Sequence, residues 1–156
     1  MVTTNAMRLL KVAKIPFETR EYEVDENDLS GVHIAESLQI DPDTMFKTLV
    51  ARGESKAIYV FCIPSAAELD LKKCAVLVGE KKIEMVHVKE LLSLTGYIRG
   101  GCSPVGMKKK YPTYMDESAT LFSPIYVSAG VRGAQLVIDP ETLAKFAEIT
   151  FADLTK

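Results

Sequence analysis

"MFKTLVARGESKAIYVFCIP", residues 45–64, decides the fold. Its two arms, 45–52 and 56–64, are rich in β-branched and aromatic residues, which suit a pleated surface. "GES" between them supplies turn chemistry, so the stretch predicts a β-hairpin. Alternation puts Phe46 and Thr48 on one face of the first arm and Lys47 and Leu49 on the other. Lys47 thus shares its face with an apolar neighbour. It either projects to solvent or stands half buried, as an electrophile or an anchor for a carbonyl.

Upstream, "MVTTNAMRLLKVAKIPF" predicts an amphipathic helix with Thr3 or Thr4 as N-cap, Ala6, Leu9, Leu10 and Ala13 on one face, and Pro16 closing it. "FETREYEV" (17–24) reads as a half-buried strand, "DENDLSG" as a polar turn, and "VHIAESLQI" (32–40) as a helix. "DPDT" then turns the chain into the hairpin. Downstream, "AAELDLKKCAVLVG" (66–79) predicts a helix ended by Gly79. "KKIEMVHV" is a short strand, or a strand entering the helix "KELLSL". "YPTYMDE", "PIYVSAG" (124–130) and "GAQLVIDP" (133–140) read as strands. "DPETLAKFAEI" is the closing helix, with Asp139 as N-cap and Pro140 at N1, where a missing N–H costs nothing. Strands and helices mix without a strict βαβ alternation. This predicts one α+β domain over 1–156, with a mixed sheet forming a barrel-like core surrounded by helices.

The chain has 156 residues, 47% hydrophobic and 26% charged, as expected of a globular domain. Its net charge of −2 excludes a generally basic nucleic-acid binder but leaves room for a local basic patch. The cysteines Cys62, Cys74 and Cys102 are odd in number and not closely paired, which argues against a disulfide framework and for a reducing compartment. The start lacks signal-peptide features and no apolar run is long enough to span a membrane, so a cytoplasmic protein is expected. His33 and His87 lie far apart, and neither CxxC nor HExxH spacing occurs; no metal or cofactor is predicted.

The chemistry concentrates in "TGYIRGGCSPVGMKKKYP", residues 95–112. It lacks the phosphate-loop frame GxxxxGK[ST]. Cys102 is either a thiolate activated by glycine N–H groups and lysines or a small residue fitting a crowded turn; no histidine or second cysteine is adjacent to activate it. Ser103 and Ser128 have no base tied to them in sequence. Gly100 and Gly101 form a plain turn, or let the backbone approach a ligand and offer N–H donors to a carbonyl gaining negative charge. Lys108, Lys109 and Lys110 are a solvated face or a contact for phosphates.

"FKTLV" (46–50), "TGYIRGGCSPVGMKK" (95–109) and "IYVSAGVRG" (125–133), in that order, resemble the YbaK family of bacterial aminoacyl-tRNA deacylases, which clear Cys-tRNA(Pro) made in error by prolyl-tRNA synthetase. The likeness extends from the opening helix to "DPETLAKFAEI". It implies a pocket between the FKT strand and the glycine loop, with the residue most needed for deacylation at Lys47. Tyr22 and Gly101 match further catalytic positions of the family. Thr48, Gly100, Cys102, Ser103, Pro104, Ser128, Gly130, Arg132 and Gly133 match the substrate pocket. An acidic pocket residue of some members falls at Thr142, beside Glu141, so this chain departs from them there. The resemblance further implies aminoacyl-tRNA as partner, through the tRNA(Pro) acceptor end, with prolyl-tRNA synthetase as a possible second. The substrate's own thiol would attack its ester, so no protein nucleophile is needed. Editors of other small aminoacyl groups, such as Ala-tRNA(Pro), share the fold, as would an idle binding module.

Overall fold

In the computed structural model, which describes residues 3–156, the elements run α1 (Asn5–Val12), β1 (Glu18–Glu21), α2 (Gly31–Leu38), a 3-10 turn (Pro42–Thr44), β2 (Met45–Gly53), β3 (Ile58–Pro64), α3 (Leu71–Val78), β4 (Ile83–Met85), α4 (Val88–Thr95), β5 (Thr113–Asp116), a second 3-10 turn (Glu117–Leu121), β6 (Ile125–Ser128), β7 (Ala134–Ile138), α5 (Pro140–Ala147) and β8 (Ile149–Ala152). The hairpin forms as expected: β2 and β3 pair antiparallel from Phe46 opposite Pro64 to Arg52 opposite Ile58. Around it the sheet is mixed, in the order β1-β7-β6-β2-β3-β5-β8, with β4 added to β2. β6 runs parallel to β2, while β5 is parallel to both β3 and β8.

The main core lies where one face of this sheet meets α1 and α5. Phe46, Cys62, Met115, Val127, Leu136 and Ile149, from six different strands, pack there with Leu10 and Leu143. Complete burial of a side chain such as Phe46 contributes about 1.5–3 kcal/mol, so this layer dominates the stability. The helices dock with their starts fixed by short polar side chains. Thr4, Ser30, Asp70 and Asp139 each accept a hydrogen bond from a backbone N–H of the first turn.

Several boundaries differ from expectation. Met7, not Ala13, completes the buried face of α1, because the helix ends at Val12 and leaves Ala13 exposed. The helix expected from residue 66 begins at Leu71: Asp70 caps it, and Leu69 instead bridges to Thr155. The closing helix stops at Ala147, where Glu148 turns left-handed and the chain becomes β8. That strand was not expected; its four residues depend on pairing with β5. Among the described residues no helix is long and apolar enough to cross a membrane.

Candidate active site

The site begins with an interruption in the sheet. Ser65 N–H donates to the Met45 carbonyl and Gly53 N–H to the Ala57 carbonyl, so the odd-numbered residues of β2 turn their backbone groups toward β3. The even-numbered ones turn theirs to the opposite edge. On that edge β6 pairs only as far as Phe46, and β4 pairs from Ala51 on, with Val86 N–H donating to the Val50 carbonyl. Between them the ladder skips Thr48. Its N–H and C=O therefore face an opening, and there lies a cavity of about 420 Å³. Lys47, Thr48, Leu29, His87, Gly100 and Gln135 are among its lining residues.

Register aligns three polar side chains across the floor. Phe46 opposes Val127, and Val127 opposes Leu136, all three in the main core. One residue further on, Lys47, Ser128 and Gln135 form the next row, on the opposite face of the sheet. Lys47 is half buried and takes part in none of the ion pairs among the described residues. Burial holds its ammonium below the usual lysine range, with the charge of Glu68 opposing that. An isolated, partly desolvated ammonium suits an oxygen that gains negative charge.

The glycine loop forms the opposite wall. Gly101 N–H donates to the Ile98 carbonyl at 3.0 Å, and Gly100 holds φ +86°, so residues 98–101 make a type II turn in which glycine is required at the third position. Arg132 Nε donates to the Arg99 carbonyl at 2.8 Å and ties this turn to the segment after β6. Cys102 is 8% exposed at the cavity, and burial pushes its thiol up to about 12, with a hydrogen bond to Thr95 opposing. A thiol held so high is a neutral wall group at physiological pH, not an activated nucleophile.

Of the residues singled out from sequence, Lys47, Thr48, Gly100, Cys102 and Ser128 line this cavity. The others do not line it. Gly101 spends its N–H inside the turn, which corrects its expected role as an oxyanion donor. Its Cα packs so closely that an added Cβ would meet Val131 and Arg132 backbone at 3.0–3.1 Å. Ser103 is fully buried and accepts from Val105 N–H, with Pro104 buried beside it. Tyr22 packs against the cluster of Ile34, Ala35, Leu38 and Met45, one layer behind the pocket. Gly130, Arg132 and Gly133 shape the connection between β6 and β7, and Gly130 N–H donates to Ser128 Oγ. Thr142 donates to Asp139 in the first turn of α5 and does not line the cavity. Sequence reasoning missed the polar lining residues Ser30, Ser65, Arg99 and Gln135; for Gln135, its place in "GAQLVIDP" between buried neighbours was the available signal.

The aminoacyl-tRNA editing domain model matches residues 30–146, and the chain belongs to that family. A relative from Enterococcus faecalis, EbsC, named as a candidate Cys-tRNA(Pro)/Cys-tRNA(Cys) deacylase, is 48% identical over 152 residues, 97% of this chain and 93% of its own. The uncharacterized protein YwhH of Bacillus subtilis is 28% identical, covering 82% of this chain and 83% of its own. Among solved structures, a candidate trans-editing enzyme for prolyl tRNA synthetase superposes with TM-score 0.83 at 24% identity, over 100% of this chain and 99% of that one. The hypothetical protein APE2540 does so with TM-score 0.87 at 20% identity, over 96% and 97%. Both share the fold.

Proposed function

We propose that this protein is a free-standing aminoacyl-tRNA deacylase that releases cysteine from mischarged Cys-tRNA(Pro). The observation that carries the reading is the meeting of Lys47 with the unpaired edge at Thr48 and the Gly100 turn in one cavity. The E. faecalis relative supports the choice of cysteine. With the ester carbonyl between Lys47 and the Gly100 turn, the substrate thiol attacks the carbonyl carbon. The S–C bond forms, the C–O ester bond breaks, and the thiol proton ends on the leaving ribose oxygen. Cysteine departs as a cyclic thiolactone that later opens in water. The protein contributes orientation and stabilisation of the oxyanion. The depressed pKa of Lys47 also makes it a readier proton donor toward the leaving oxygen.

This chemistry selects by itself, because alanyl and prolyl esters carry no thiol. The test is a panel of tRNAs charged with cysteine, alanine, serine and proline, assayed for release of the amino acid. Release of cysteine alone is the expected result. Faster release of alanine or serine than of cysteine refutes substrate-thiol chemistry. Binding without any release would point to a non-catalytic module.

A further inference from the structure

Arg132 does not line the cavity, yet it grips a peptide that does. Its Nε donates to the Arg99 carbonyl at 2.8 Å, and its Nη1 lies 3.4 Å from Glu26 Oε2 on the loop before α2. The peptide between Arg99 and Gly100 is trans, so its C=O and N–H point in opposite directions. With the Arg99 carbonyl turned out toward Arg132, the Gly100 N–H turns in toward the cavity that Gly100 lines. Among the described residues that N–H has no hydrogen-bond partner. We propose that Arg132 is a positioning residue for the reaction: by holding the Arg99 carbonyl, it aims the Gly100 N–H at the carbonyl oxygen of the substrate ester. The proposal rests on the deacylase reading and names the side chain that sets the geometry of its oxyanion donor.

Turn chemistry shows why such a tie is needed. Type I and type II turns over residues 98–101 differ by a rotation of the peptide between Arg99 and Gly100. Glycine at the third position accepts both, the φ of +86° found here and the negative φ of type I. The rotation exchanges the two sides of the peptide, so the type I form would set a carbonyl oxygen against the cavity, where it repels an oxyanion. The bond from Gly101 N–H to the Ile98 carbonyl closes either form and does not choose between them. The Arg132 contact exists only in the type II form, and a charged donor makes one of the stronger hydrogen bonds. Glycine also makes room for it. A Cβ on residue 100 would meet Arg132 Nε at 3.2 Å and Cγ at 3.5 Å, so only a bare backbone lets the side chain lie against the turn.

The test compares two variants of nearly the same shape. Arg132→Gln puts an amide nitrogen where Nε stands and keeps a donor without the charge, whereas Arg132→Met puts a methyl group there. The probes are two cysteinyl adenosine analogues, one with a planar amide in place of the ester and one with a tetrahedral, anionic phosphonate. By calorimetric titration the wild type and Arg132→Gln should favour the phosphonate to the same degree. Arg132→Met should lose about tenfold of that preference, through weaker binding of the phosphonate alone. In turnover of Cys-tRNA it should lower kcat by a similar factor, with KM and melting temperature unchanged. If Arg132→Met does not fold, Arg132→Ala takes its place beside Arg132→Gln. Glutamine and methionine variants that behave alike, a loss confined to KM for tRNA, or a wild type that does not favour the phosphonate overturns the proposal. Cysteine release from Cys-tRNA by the wild type judges the deacylase reading separately, because the binding comparison does not depend on turnover.

Discussion

Replacing Lys47 by methionine separates catalysis from stability. Methionine keeps most of the volume of the stem and removes the ammonium, so packing against Leu49 and its surroundings changes little; swaps of this kind cost less than about 1.5 kcal/mol. The sign of the charge effect follows from the depressed pKa. Below the folded-state pKa, lysine is protonated in both states, and burial of the charge counts fully against folding. As pH rises through the folded and then the unfolded value, that burden is relieved. Wild-type stability therefore gains with pH in this window, below and up to the ordinary lysine value of 10.5. At neutral pH the methionine variant should melt at or above the wild-type temperature. The rate should move the other way. Loss of one donor to a developing oxyanion costs about 2–4 kcal/mol of transition-state stabilisation, a fall of roughly 30- to 1000-fold. Single-turnover release of labelled cysteine from Cys-tRNA(Pro), beside thermal unfolding, measures both. A folded variant within about threefold of the wild-type rate refutes the role given to Lys47, and a large drop in melting temperature shows the residue to be structural.

Other outcomes follow from the same geometry. Cys102→Ser should retain much of the activity, because the attacking sulfur belongs to the substrate and the Cys102 thiol stays protonated with its pKa pushed up to about 12; complete loss in a folded variant would restore a protein nucleophile. Replacing Lys108, Lys109 and Lys110 by glutamine should raise KM and flatten its salt dependence if they hold phosphates, leaving kcat unchanged. Equal losses with tRNA and with a small cysteinyl ester would show damage to the pocket instead. Asp139→Ala removes the cap of α5 and should lower stability by about 0.5–2 kcal/mol in urea unfolding, with cysteine release per folded molecule unchanged, since Asp139 does not line the cavity.

Legibility from sequence divided along physical lines. Features fixed by local chemistry could be read directly: the hairpin of residues 45–64, the Gly79 helix end, and the start of α5 at Asp139 and Pro140. Lys47 stood out because strand alternation is itself a local rule. Features decided by distant partners did not show. Strand β8 has a pattern too short to announce itself and exists through β5. The N–H of Gly101 looked available in sequence, yet Ile98, three residues away, takes it. Gln135 reads as one polar residue in an apolar strand, and only the register with β6 and β2 sets it in line with Ser128 and Lys47. The gap at Thr48 is the extreme case, since an absent pairing leaves no residue to mark it.

That gap also bears on how a strand edge can open into a cavity without inviting another strand. An unsatisfied strand edge ordinarily invites a foreign strand, and the invitation strengthens with each consecutive free residue. Here, among the described residues, Thr48 alone has both groups free on that edge and Val50 only its N–H, between β6 on one side and β4 on the other, beside a cavity. A peptide seeking to extend the sheet finds no second complete rung to grip, because the Val50 carbonyl is already taken by Val86 N–H. A compact ester end, which needs only one donor and one acceptor, finds both. The same two backbone groups are thereby open to a small substrate and closed to aggregation.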